Sequence, residues 1–272
     1  MLPGGCDEDQ PPKANITIAT EEIPAGTFTM GSPNSEIGRD MFEQQHQVNL
    51  SAFRMSKYEI TNTEYAAFLN AKGVDRYGHY VEGPFTEEIL VTANTGWGLW
   101  HSDNQWVPVK GYENHPVINV RWFGAAEFAA YAGGRLPTEA EWEYACRGGT
   151  NTPFNTGVCL DDTQGNYAWD SPYNICTNTN SVNANKTQPV GTYAPNAYGL
   201  YDMHGNVWEW CYDFLQSYPI IPQTNPKGPK DGGGRVFRGG SWNTDAQFCR
   251  SAFRQQGFYE EGVVGFRIVI DQ

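Results

Sequence analysis

Apolar and polar residues alternate from Ile23 to Gly31 (Ile-Pro-Ala-Gly-Thr-Phe-Thr-Met-Gly), which predicts a half-buried strand ended by glycine. The same period of two recurs at 47–50 and 53–58 and predicts two more strands. The period changes at Thr61-Asn62-Thr63-Glu64, a capping box in which each side chain can satisfy the other's backbone donor. The helix it opens carries Tyr65, Phe68 and Leu69 on one face. A second helix is predicted over 122–131, with Gly133-Gly134 available as a left-handed cap. A second capping box, Thr138-Glu139-Ala140-Glu141, starts a third, which puts Trp142 and Cys146 on a shared face and stops at Gly148-Gly149.

Residues 73–115 are rich in turns and Trp with little periodicity, which reads as a packed or functional loop region. Beyond residue 150 the clearest strands are Arg235–Arg238 and 265–270. Short central helices with strands at both ends imply one compact, loop-rich α+β domain over residues 21–272. Residues 1–20 read as a flexible tether, and the terminal strands are expected to pair.

Composition narrows this picture. Thirty Gly and 17 Pro with only 18 % charged residues disfavour a helical bundle, and nine Trp with 14 % aromatics disfavour disorder. A core filled by Trp and Tyr is expected. A net charge of −13 argues against nucleic acid as a partner, because a phosphate backbone repels such a surface. The sequence has no 18-residue apolar run. Leu2-Pro3-Gly4-Gly5-Cys6 looks like the end of a bacterial lipoprotein signal, and Asp7-Glu8-Asp9 like an acidic surface-export stretch. The expectation is an exported protein lipidated at Cys6, anchored at the outer membrane or cell surface and touching the membrane only through that anchor. In an oxidising compartment Cys159 and Cys176, which flank a polar loop, are the expected disulfide. Closing that loop would contribute roughly 3 kcal/mol. Cys146 reads as a buried thiol. The five His (46, 79, 101, 115 and 204) are isolated in sequence and read as structural.

A set of phrases rich in Trp and Gly remains. In order they are 23–31, Lys57-Tyr-Glu-Ile-Thr-Asn62, His115-Pro-Val-Ile-Asn-Val120, Gly134-Arg-Leu-Pro-Thr-Glu-Ala-Glu-Trp-Glu-Tyr144, Asn196 to Trp210, Arg238-Gly-Gly-Ser-Trp242 and Gly265-Phe-Arg267. Together they resemble the formylglycine-generating enzyme (sulfatase-modifying factor) family over nearly the whole chain. The resemblance implies a variant of the C-type lectin fold. Enzymes of that family oxidise a substrate Cys with two of their own Cys, which bind copper(I) through soft thiolates. Here Cys249 matches the second of these, but Thr244 occupies the position of the first, so no copper is expected.

A non-catalytic branch, lectin-like display proteins, binds ligands through the segment between GGSW and GFR. On this resemblance the binding residues are Trp242, Asn243, Thr244, Asp245, Gln247, Phe248, Phe253, Gln255, Phe258, Tyr259, Glu260, Val263 and Val264. Aromatics mixed with adaptable polar groups have the composition of a binding face. Some such proteins are diversified by retroelements that mutate template adenines. Codons for Gln247, Gln255, Gln256, Glu260 and Glu261 are unreachable from AAC, so these five would have to be fixed in the template. The family's calcium phrase suggests a structural calcium held by Asn206 and Glu209 side chains with the carbonyls of Val207 and Cys211. Asn166 and Tyr167 belong to a second family site. The reading is a monomeric display protein for an unidentified protein or glycan ligand, without catalysis. The alternatives are a copper oxidase using Cys249 and a structural envelope lipoprotein.

Overall fold

Pro24 and Ala25 divide the first predicted strand into two strands that enter different sheets. The computed structural model describes residues 16–80, 84–85, 88–174, 176–177, 184–257 and 262–270. In it β1 (Thr20–Ile23) pairs antiparallel with β4 (Phe53–Ser56), whereas β2 (Gly26–Met30) pairs with β3 (His46–Leu50). Proline has no N–H to donate to a ladder, so the break falls there. Ile16 and Ile18 already pack against the core, so the ordered fold starts before the expected boundary at residue 20.

All three helices stand where the period predicts them: α1 (Asn62–Ala71), α2 (Trp122–Tyr131) and α3 (Glu139–Arg147). Thr61 and Thr138 close reciprocal capping boxes, and α3 ends on Gly148 at φ 54°. Within 73–115 lies a hairpin without a predicted counterpart, β5 (Leu99–Ser102) and β6 (Gln105–Pro108). Its turn residues, Asp103 and Asn104, both have positive φ, as a two-residue hairpin of matching twist requires.

The middle of the fold is β7 (Trp208–Phe214), flanked by β9 (Arg235–Arg238) and the parallel β11 (Val264–Gly265); β10 (Gln255–Gly257) extends the sheet beyond β9. β7 gives no alternating signal because both of its faces are covered and it carries Glu209 and Asp213 inward. β8 (Gln223–Thr224) adds to β3, and β12 (Val269–Ile270) to β4. The terminal strands therefore do not pair with each other, as expected from sequence, but lie on opposite sides of β4.

Trp106, Trp142 and Trp210 are fully enclosed, in line with a Trp-rich core. Arginines share that interior. Arg238 joins Glu139 and Glu143 of α3 at 2.9 Å each, and Arg147 holds Glu143 at 2.8 Å. Arg250 binds Glu43 at 2.8 Å, and Arg267 binds Glu209 at 2.6 Å. A buried charge is tolerated only when paired and hydrogen-bonded, and each of these is. Among the described residues no helix is long and apolar enough to cross a membrane.

Candidate functional site

The segment after β9 leaves the sheet at two glycines and returns to it twice. Ser241 to Thr244 form a turn, Ala246–Cys249 a short 3-10 helix, then β10 and β11 re-enter beside β9 and β7. This weaving splits the expected binding residues. Asn243 and Gln255 are exposed; Trp242, Thr244, Asp245, Gln247, Phe248 and Val263 are half-buried. Phe253 and Val264 are buried, at 8 % and 0 % exposure, which corrects the expectation that they face solvent. Phe253 packs on Trp208 and Phe248, and Val264 is a rung of the central sheet opposite Trp208. Phe258, Tyr259, Glu260 and Glu261 lie outside the described residues.

A residue from the 73–115 region completes the open part. Trp97 meets Trp242 edge to face at 5.3 Å, and the buried Trp242 indole nitrogen has no hydrogen-bond partner among the described residues. Only the Trp content of that region hinted at it, since a loop residue carries no periodicity.

Thr244 and Cys249 stand side by side, Oγ1 to Sγ 3.9 Å. The hydroxyl already serves the turn: it accepts from the Ser241 N–H at 2.9 Å and donates to the Ser241 carbonyl at 3.0 Å. Cys249 is fully enclosed, and burial pushes its thiol up to about 12, so a thiolate is disfavoured at neutral pH. Gly240, at φ 77°, leaves the sulfur its space, because a Cβ there would overlap it. His204 is close but is not a base for Cys249. Its Nδ1–H donates to the Cys249 carbonyl at 2.8 Å, and its Nε2 accepts the Asn155 N–H at 3.0 Å. Both ring nitrogens are engaged in the neutral form, and burial lowers its pKa to about 4. Cys146 lies 3.9 Å from that ring, its thiol also pushed to about 12 by burial. The paired thiolates that copper(I) requires do not fit these residues.

The expected calcium ligands from Asn206, Glu209 and Cys211 already accept hydrogen bonds. Glu209 accepts Arg267 at 2.6 and 2.8 Å and the Trp142 indole N–H at 2.7 Å. Asn206 Oδ1 accepts from Asn166 and from the Gln188 N–H, while its amide donates to Glu59. The Cys211 carbonyl accepts the Trp122 indole N–H at 2.8 Å, and the Val207 N–H reaches Glu59. With these donors in place the Asn206 and Glu209 side-chain oxygens do not fit a cation, and no group of three His, Cys, Asp or Glu converges among the described residues. Buried oxygens without a hydrogen-bond partner among the described residues include, in the neighbourhood, Oδ1 of Asn166 and Oδ1 of Asp202. Tyr167 donates its hydroxyl to the Leu160 carbonyl at 2.9 Å. Nearby, Cys159 and Cys176 are bonded, with Cα atoms 5.6 Å apart. Cys6 lies outside the described residues.

The sulfatase-modifying factor enzyme 1-like domain matches residues 8–272. The formylglycine-generating enzyme of Mus musculus is 35 % identical over 281 residues, which cover 92 % of this chain and 74 % of that protein. PvdO from Pseudomonas aeruginosa superposes with a TM-score of 0.69 at 27 % identity, covering 93 % of this chain and 94 % of its own. Variable protein 1 of Treponema denticola superposes at 0.65 and 22 % identity, covering 93 % and 95 %, and shows the same fold. Matched by the family model over residues 8–272 and by its relatives over nine-tenths of its length, the chain belongs to the sulfatase-modifying factor (formylglycine-generating enzyme) family and has that family's C-type-lectin-like fold.

Proposed function

We propose that this chain is a non-catalytic, ligand-binding member of its family. It would hold a protein or glycan against the open residues Trp97, Trp242, Asn243, Asp245, Gln247 and Phe248. The observation that carries the reading is Thr244, a hydroxyl bound into a turn where a copper oxidase needs a second thiolate. A ring pair bordered by Asn, Asp and Gln side chains suits a ligand that is part apolar and part polar. Export and anchoring through Cys6 belong to the same proposal, and an oxidised Cys159–Cys176 pair is compatible with an exported protein.

The similarity to formylglycine-generating enzymes favours a second reading, oxidation of a substrate Cys with Cys249 as the surviving thiol. One experiment separates the two. Reduced protein is titrated with copper(I) and then assayed for aldehyde formation on a Cys-containing sulfatase peptide. The expected result is no stoichiometric copper and no aldehyde. Thr244→Cys, with a sulfur beside Cys249, should gain copper binding. Stoichiometric copper with turnover by the unaltered chain overturns the proposal.

A further inference from the structure

The 3-10 helix within the proposed face, Ala246–Cys249, is four residues long and too short to hold itself. Its carboxyl end is tied to the body of the fold. The Arg250 guanidinium binds Glu43 and donates to the Gly38 carbonyl, and the Cys249 carbonyl accepts the His204 N–H. Its amino end meets the loop that the Cys159–Cys176 disulfide closes. From that loop the Ala168 N–H donates to the Thr244 carbonyl at 2.9 Å, and the Ser171 carbonyl accepts the Ala246 N–H at 3.2 Å. The buried side of the helix, Ala246 and Cys249, sits in a small separate cluster to which the loop brings Leu160, Tyr167, Tyr173 and Cys176.

Between its two cysteines the described chain forms neither a helix nor a strand, so no backbone ladder orders this loop. Its first half is anchored at Asn166, whose carbonyl accepts the Asn206 N–H at 2.7 Å. The second half carries Ala168 and Ser171. Beyond them it is held by the Tyr173 hydroxyl, which donates to the Ile37 carbonyl at 2.8 Å, and by the disulfide. One neutral hydrogen bond contributes less than the closure of a loop of this length, so the disulfide is the stronger hold. We propose that the Cys159–Cys176 disulfide is a redox switch for the binding face. Closed, it keeps the stretch 167–174 against Thr244 and Ala246; reduced, it lets that stretch lift and the 244–249 segment lose its seat. The reductant is a dithiol, which supplies two electrons. Its thiolate attacks the sulfur of Cys159, which is half-buried where Cys176 is 8 % exposed. Cys176 leaves as a thiolate and takes a proton, and the second reductant thiol then closes its own disulfide and releases Cys159. That the switch governs ligand binding rests on the function proposed above; the ordering of the segment does not.

The test compares amide hydrogen exchange of the full chain, read by NMR, before and after dithiothreitol. On reduction the Ala168 and Ala246 amides should lose protection by more than about tenfold, since closing such a loop is worth more than that. The amides of the β2–β3 ladder should keep theirs, and reoxidation with glutathione disulfide should restore both. Iodoacetamide should then alkylate Cys249 in the reduced chain along with Cys159 and Cys176, while Cys211, inside β7, stays unlabelled. Cys159→Ser combined with Cys176→Ser, checked for native circular dichroism, should show the same exchange without reductant; the dithiothreitol measurement needs no variant. No ligand enters, so this test can fail while the proposed function stands. Unchanged protection at Ala168 and Ala246 in the reduced chain, an equal loss in β2–β3, or a bond that dithiothreitol leaves intact in the folded chain overturns the proposal.

Discussion

His204 illustrates how a single side chain can be fixed by its hydrogen bonds. Donating from Nδ1 and accepting at Nε2, it has no room for a second proton, and its pKa falls from 6.5 to about 4. The stability it confers is therefore complete above pH 6.5 and lost as pH falls toward 4. The loss attributable to this group amounts to roughly 3 kcal/mol over that window. Asp213, with its raised pKa, works in the opposite direction over part of the same range. The His204 contribution is thus read as the difference between native chain and His204→Gln in urea melts at pH 7 and pH 4.5, which should shrink toward the acid end. A constant difference would mean that the ring is protonated without cost. Phe253 gives a second prediction. Enclosed by Trp208 and Phe248, its replacement by Ser should cost about 3–5 kcal/mol in the same melts, whereas exposed Asn243→Ser should stay within about 0.5 kcal/mol. A near-neutral Phe253→Ser would place that ring back on the surface. Residue chemistry read locally is legible from sequence, as Thr61 and Thr138 show. Which Arg meets which Glu is not: Arg267 and Glu209 are 58 positions apart, and nothing in either neighbourhood names the other.

For whole elements, the helices were legible and the central strand was not. Capping boxes act over four residues, so Thr138 and Glu141 declare α3 without help from the fold. β7 depends on partners on both sides and on arginines that neutralise its acids, and those facts live elsewhere in the chain. α3 also provides the sharpest test of packing. Thr138→Ala removes one cap and should cost about 1 kcal/mol. Trp142→Ala removes a fully buried ring together with its 2.7 Å bond to Glu209 and should cost at least 3–5 kcal/mol. Denaturant titrations that rank the two in the reverse order would show that α3 is held by its ends rather than by its face.

At the scale of the molecule the phrases rich in Gly and Trp placed the chain in its family and fold, while the proposed binding face was only partly visible. Trp97 joins Trp242 from a loop without periodicity, and Phe253 turns inward because β10 re-enters the sheet directly after it. Aromatic composition alone cannot tell those two fates apart.

The sheet that joins the two ends of the described chain has a mechanical consequence. β1 and β12 both run antiparallel to β4 and therefore parallel to each other, with Thr20 opposite Ser56 and Ile270 opposite Arg54. A pull on residue 20 and a pull on residue 270 act along the strands in opposite directions. The load is shared by the rungs at once, in shear, instead of peeling them one after another. Force applied between residues 20 and 270 would therefore load this sheet along its strands, its most resistant axis.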